Sequence, residues 1–469
     1  MAAVLDRFAG MKMLCRFVFA AVFPIALAAS AVASSTPALF SSYAPVTLQL
    51  KAPFKELIET GRENDEHTVV GTLSYTGDSG RRATIENVKM SLRGHTSRRE
   101  SECTFPKLKL NFGAPPPDGP FAGLRSVKVG THCGESAGDT LTPRFGRLPN
   151  EHSPYREAFI YRLLDVLQIP TLKARPARIT YVYSDAQQPP LVRNAMLLED
   201  DGDAKKRLGA DQEIDPAAFS NAHDEFKAED TAHLAFAEAL IGNYDWCLKF
   251  TADDTYRCDA RRILWNVMAL RGNGRTFPLM YDFDVSGMAA GRHTWFGDVY
   301  NEAFVSSKSH PEVEALGQLQ RTRALFSRDV LDATRARFMA RKAEAYRALQ
   351  EAPLDEPGRR RIQEYLDGFF NGIGSDSAFY RPVVTTPDTM PYTTADRTAV
   401  VCQDRGAVPI GTTVGEPLAT RGSMIQVVLL DTQWNWATPV KCPEIHKGAV
   451  WIESSAVSKD FPAAAVTSR

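Results

Sequence analysis

The run PLMYDFDVSG at residues 278–287 limits this chain more than any other segment. It sets Asp282 and Asp284 among Met280, Tyr281, Phe283 and Val285. A carboxylate buried in such company is costly unless a cation neutralises it. Upstream lie GNYDW at 242–246 and LWN at 264–266, so the order is Asp245, Asn266, Asp282. A hard metal ion that also meets phosphate oxygens is one cation suited to these oxygen donors. A turn Asp, a core Asn and a capping pair would account for the same letters. The order of the three residue types is what adds weight. Of Asp282 and Asp284, only one is expected to face a cleft directly.

The chain has 469 residues, room for two or three domains, with 44% hydrophobic and 24% charged residues. A formal charge of −1 argues against a nucleic-acid partner, which would demand a basic excess. At the N-terminus Lys12 and Arg16 precede an apolar run, and Ala31-Val32-Ala33 offers a small-residue cleavage pattern. Residues 1–33 therefore read as a signal peptide, with an uncleaved anchor as the alternative. Beyond them no run approaches the ~20 apolar residues of a transmembrane span. A periplasmic or secreted location follows. Cleavage removes Cys15 and leaves six cysteines, for which an exported chain suggests disulfides. Proximity favours Cys103–Cys133, Cys247–Cys258 and Cys402–Cys442.

Residues 34–66 read as a lead-in segment. Strands are expected at 68–75, 83–93, 106–112 and 126–131. On the third, Lys107 and Lys109 share the face opposite Leu108 and Leu110. A helix is expected from Ser153 as N-cap with Pro154 at its first position. Glu157 falls on one stripe of it with Tyr161 and Leu164. Strands at 178–183 and 192–198 follow, then helices over about 215–242, 311–351 and 356–372. The Pro/Thr-rich stretch 382–394 reads as a linker. Short strands at 399–402, 424–430, 434–438 and 449–452 suit a small barrel.

Two further groups carry chemistry. In RGHTSR at 93–98, Gly94 would let the backbone approach a ligand, and arginines with hydroxyls suit phosphates. An ordinary hairpin turn with solvated arginines explains the segment equally well. Lys109 on its strand and Glu157 on the next helix match the Lys–Glu ion pair that sets phosphates in kinase folds. Lys107 is the other candidate lysine. There is no P-loop, no GxGxxG opening a helix, no HExxH and no GxSxG.

These pieces together resemble the CotH-type secreted kinase family, relatives of spore-coat CotH proteins. The matching segments are SLRGHTSRR, FPKLKLNF, SPYREAFIYRLL, AMLLED, IGNYDW, LWN and MYDFDVSG, in family order over roughly residues 68–300. The resemblance implies an α+β chain with an atypical, two-lobed protein-kinase-like domain at 34–375. Its β-rich lobe would span about 67–200 and its helical lobe about 201–375. It implies ATP with Mg²⁺ or Mn²⁺ as cofactor. Lys109 would hold phosphates, Glu157 would pair with it, Gly94 would lie on the phosphate loop and Glu199 would mark the hinge. Asp245 would be the catalytic acid–base, and Asn266 and Asp282 would bind metal. The family often has His before the Asn, where this chain has Trp265, and the segment from Cys247 to Cys258 enlarges the catalytic loop. A pseudokinase scaffold that binds the cell envelope is therefore the alternative. After a linker at 376–394, residues 395–460 are similar to bacterial SH3-like domains, which implies a peptide or cell-wall ligand. The implied substrate is an exported protein or an envelope hydroxyl.

Overall fold

The computed structural model describes residues 36–76, 80, 82–100, 103–133, 151–243, 245–252, 263–290, 318–320, 322–429 and 448–460. The signal peptide expected at 1–33 lies outside them. Seven strands close into a barrel: β1 Val46–Ala52, β2 Val69–Thr76, β3 Arg82–Leu92, β4 Leu108–Asn111, β5 Ser126–Gly130, β6 Ala174–Tyr183 and β7 Leu191–Leu198. Their order is β1-β2-β3-β4-β5-β7-β6, and β1 closes the ring by pairing in parallel with β6. Helix α1, Phe54–Glu63, follows β1, and α2, Ser153–Val166, lies between β5 and β6. The lead-in expected at 34–66 thus supplies a barrel strand and a helix. Alternation sends Leu48, Leu50, Met90, Leu108, Leu110, Val127 and Val129 into one apolar core. The opposite face of β4 carries Lys107 and Lys109.

Ser153 does not cap α2. His152 holds the cap position but its side chain makes no capping bond, and the Ser153 hydroxyl donates to the Ala289 carbonyl at 3.2 Å. Pro154 stands in the first turn as expected.

A mainly helical part follows. It comprises α3 Asp201–Leu208, β8 Gln212–Glu213, α4 Ala222–Glu225, α5 Ala228–Ile241, and the strands β9 Cys247–Leu248, β10 Leu264–Trp265, β11 Val267–Gly272 and β12 Arg275–Met280. Then come α6 Gly287–Ala290, α7 Arg328–Ala340, α8 Lys342–Glu351, α9 Glu356–Ile373 and α10 Asp376–Phe379. The long helix expected over 215–242 is broken at Phe226–Lys227, so only α5 is substantial. A second apolar core joins α2 to α5 and α9 through Phe159, Leu163, Phe236, Phe369 and Phe370.

The C-terminal strands are β13 Val383–Val384, β14 Ala419–Arg421, β15 Met424–Val427, β16 Val450–Glu453 and β17 Val457–Ser458. They form a three-stranded sheet, β14-β15-β16, and a pair, β13-β17, over a small core of Val384, Val401, Val414, Ile425, Val427 and Ile452. Among the described residues this part is two small sheets, not a closed barrel. The expected linker at 382–394 belongs to it: β13 pairs with β17, and Tyr392 exchanges backbone hydrogen bonds with Trp451. Residues 399–402 form no regular strand, and 434–438 lies outside the described residues.

The Cys103–Cys133 disulfide is present, with Cα atoms 4.7 Å apart. It ties the end of the β3–β4 loop to the residues after β5, a restraint worth roughly 2–4 kcal/mol. Cys247 and Cys402 are also disulfide-bonded. Their expected partners, Cys258 and Cys442, lie outside the described residues.

His132, beside that disulfide, stacks on Phe105 at 5.2 Å between centroids and has no acceptor or donor for Nδ1. Burial, helped by Arg193 and Arg178, pushes its pKa from 6.5 down to about 3. The unfolded chain takes up a proton below 6.5 that the folded chain refuses. Stability present above that value is therefore lost as pH falls. Urea unfolding at pH 7 and pH 5 should show the wild type losing about 2 kcal/mol more than His132→Phe. Equal losses would refute the neutral buried imidazole.

Candidate functional site

The β11–β12 ladder runs from Gly272–Arg275 to Val267–Met280, and the Tyr281 N–H extends it to the Asn266 carbonyl at 3.2 Å. Both flanking residues then turn left-handed, Asn266 at φ 55° and Asp282 at φ 63°. Asn and Asp tolerate that region better than other side chains, and such strain gathers at functional sites. Both aspartates reach one ammonium group: Lys107 Nζ lies 2.8 Å from Asp282 Oδ1 and 2.9 Å from Asp284 Oδ2. The expectation that only one of them could face the cleft is overturned, since residues two apart already share a face of a strand and both carboxylates stay on the Lys107 side past the turn at Asp282.

Helix α2 closes the back of this cluster. Tyr161 accepts a hydrogen bond from the Asp282 N–H at 3.0 Å, and Glu157, one turn earlier, is buried with it. Asp245 and Asn266 come together because Trp265 pairs with Cys247. The Asn266 Nδ2 donates to the Asp245 carbonyl at 2.5 Å, and the Trp265 indole donates to Asp245 Oδ1 at 2.7 Å. Asn243 bonds the Asp245 N–H at 3.0 Å and is held by buried Glu238. The two motif glycines are required by packing. A Cβ at Gly242 would lie 2.4 Å from the Tyr365 ring, and one at Gly287 would lie 1.8 Å from its hydroxyl. Tyr365 therefore sits where the GNYDW and DVSG segments meet, and the Gly287 N–H bonds the Gly242 carbonyl at 3.0 Å.

Burial works against a charged Lys107, but Asp282, Asp284 and Glu157 outweigh it and hold the ammonium above the ordinary lysine range. Burial likewise works against a charged Asp282, yet Lys107 wins, aided by Arg93 and Lys128, and its pKa falls below the usual carboxylate value. Glu157 goes the other way. Burial dominates, Lys107 opposes it, and the two aspartates add to the rise. Two aspartates thus share one ammonium, and the buried Glu157 carboxyl is held above the usual carboxylate range.

The other residues expected in the site fall elsewhere. Lys109 does not pair with Glu157; its Nζ lies 2.8 Å from Asp200 and it is 40% exposed. Lys107 has the burial and the acidic partners expected of Lys109. The Glu199 carboxylate is fully occupied by Arg207, at 2.9 and 2.7 Å, and by the Lys173 N–H at 3.0 Å. It ties α3 to the residue that precedes β6. Gly94 has φ 83°, and a Cβ there would meet Ser97 Oγ at 2.5 Å. It lines a cavity of about 470 Å³ with Arg62, His95, Arg98 and Arg99.

Among the described residues no three His, Cys, Asp or Glu side chains form a metal cage. The donors that suit a hard divalent cation are the Asp282 carboxylate and the Asn266 amide oxygen, which the Nδ2 bond to Asp245 leaves open. One or two such ligands are what Mg²⁺ uses when substrate phosphates and water complete its shell. The residues present therefore fit a metal that arrives with phosphate.

No family model matches the chain, and no curated protein does. Among solved structures, similarity is found to the Helicobacter pylori proinflammatory kinase CtkA, at 12% identity over 56% of this chain and 87% of that one, with a TM-score of 0.31. It is also found to a Shewanella oneidensis MR-1 HipA–HipB toxin–antitoxin complex with operator DNA, at 14% identity over 55% and 59% of the two chains, with a TM-score of 0.27.

Proposed function

We propose that this chain is an exported ATP- and Mg²⁺- or Mn²⁺-dependent phosphotransferase with an atypical kinase-like, two-lobed domain, acting on a hydroxyl of an exported protein or an envelope component. The observation that carries this is buried Lys107 bridging Asp282 and Asp284 in front of Glu157. Lys107, rather than Lys109, would hold the nucleotide phosphates once they displace its aspartates, with Glu157 keeping it in place. Asn266 and Asp282 would ligate the metal, which would neutralise phosphate charge. Asp245 would accept the acceptor hydroxyl's proton. Its Oδ1 is oriented by Trp265, in the position where the CotH family often has a His. The C-terminal sheets would be an SH3-like module for a peptide or cell-wall ligand.

A second reading is a non-catalytic envelope-binding scaffold. It is favoured by the same indole bond, which occupies one oxygen of Asp245. Incubation with ATP labelled in the γ-phosphate separates the two. Label on the chain or on a model protein acceptor, dependent on Mg²⁺ or Mn²⁺, is the expected result. Absence of transfer with either metal, together with intact nucleotide binding, would establish the scaffold.

A further inference from the structure

The outward face of β3–β4–β5 carries five cations: Lys89, Arg93, Lys107, Lys109 and Lys128. Ser91 pairs with Lys109 and Lys109 with Lys128, and the backbone bond from Arg93 N to Lys107 O at 2.9 Å sets Arg93 directly opposite Lys107. Cross-strand partners share a face, and like charges placed there repel. Three of the five are neutralised: Lys107 by Asp282 and Asp284, Lys109 by Asp200, and Lys128 by Asp201. Lys89, opposite Asn111 and away from Lys107, is exposed to solvent. Arg93 is not neutralised. Among the described residues no carboxylate lies within ion-pair reach of it, and its buried Nε–H has no acceptor. A buried donor without a partner is uncommon and calls for an explanation. Arg93 also precedes Gly94, whose left-handed backbone opens the β3–β4 loop beside it.

We infer that Arg93 is a ligand-binding residue that docks a polyphosphate chain, in the proposed reaction that of the nucleotide. Among the described residues it stands directly opposite Lys107 with no carboxylate to neutralise it. The guanidinium fork takes two phosphate oxygens at once, which a lysine does not. The inference rests on the phosphotransferase reading but is tested apart from it.

The experiment is calorimetry of the full chain with Mg-ATP, Mg-tripolyphosphate and adenosine, for the wild type, Arg93→Gln and Arg93→Lys. Arg93→Gln should weaken both phosphate probes by about 10- to 100-fold and leave adenosine unchanged. Arg93→Lys should fall between, since it keeps the charge and loses the fork. It also serves as the test should the glutamine variant fold poorly. If the wild type binds tripolyphosphate in an Arg93-dependent way but not ATP, the inference stands and the nucleotide reading falls. Unchanged affinities in both variants, or a wild type that binds neither phosphate probe, overturn it.

Discussion

Lys107→Met is expected to destabilise the ligand-free protein by about 3 kcal/mol at neutral pH, because it leaves Asp282 and Asp284 facing each other with no cation between them. The residue is 7% exposed, so water cannot take the ammonium's place. The gap should narrow on acidification. In the wild type Asp282 is held below its ordinary value by Lys107, and that stabilisation is present above the unfolded pKa and lost as pH falls through the folded one. The variant, whose freed carboxylates can take up protons, gains over the same range. Lys109→Met, at a half-exposed pair with Asp200, should cost no more than about 1 kcal/mol. Denaturant melts at two pH values check this. Equal effects of the two substitutions would remove Lys107 from its central role.

Asp245→Asn should lower phosphotransfer by about 10²- to 10⁴-fold, the usual contribution of a positioned base. Affinity for Mg-ATP should stay nearly unchanged, since the group serves the acceptor and not the nucleotide. The substitution is conservative here. The amide oxygen can still accept from the Trp265 indole, and the main-chain bonds to Asn243 and Asn266 are untouched. Initial rates and binding measured on one preparation separate the two effects. A variant that turns over like the wild type would leave Asp245 as a turn residue.

What the sequence made legible follows from local pattern. Period-two alternation marked β2, β3, β4 and β5 within a residue or two, and placed Lys107 and Lys109 on one face. The order Asp245, Asn266, Asp282 named residues that short ladders bring to one end of a hairpin. What was missed depends on distant partners. The alternating residues of β1 are plain, but their place in a barrel rests on β6, about 130 residues on. Ser153 has the right chemistry for a cap, yet its hydroxyl is taken by a carbonyl 136 residues away. Glu199 looked like a hinge marker and is a buried partner of Arg207. Asp284 was set aside in favour of Asp282, although a spacing of two residues already puts both on one face of a strand, and the positive φ at Asp282 cannot be seen in letters. Arg93 drew notice only as one of several basic residues in a loop. Its isolation shows only once the three neighbouring lysines are seen to be paired.

Calorimetric titration of the protein with Mg-ATP, beside Asp282→Asn, bears most directly on the claim that the Lys107 cluster is a metal–nucleotide phosphate site. The expected result is saturable binding in the wild type, in the micromolar to millimolar range usual for enzyme substrates. It should require the divalent ion and be abolished in the variant. Binding of equal strength in both proteins, or no binding by the wild type with Mg²⁺ or Mn²⁺, would contradict it.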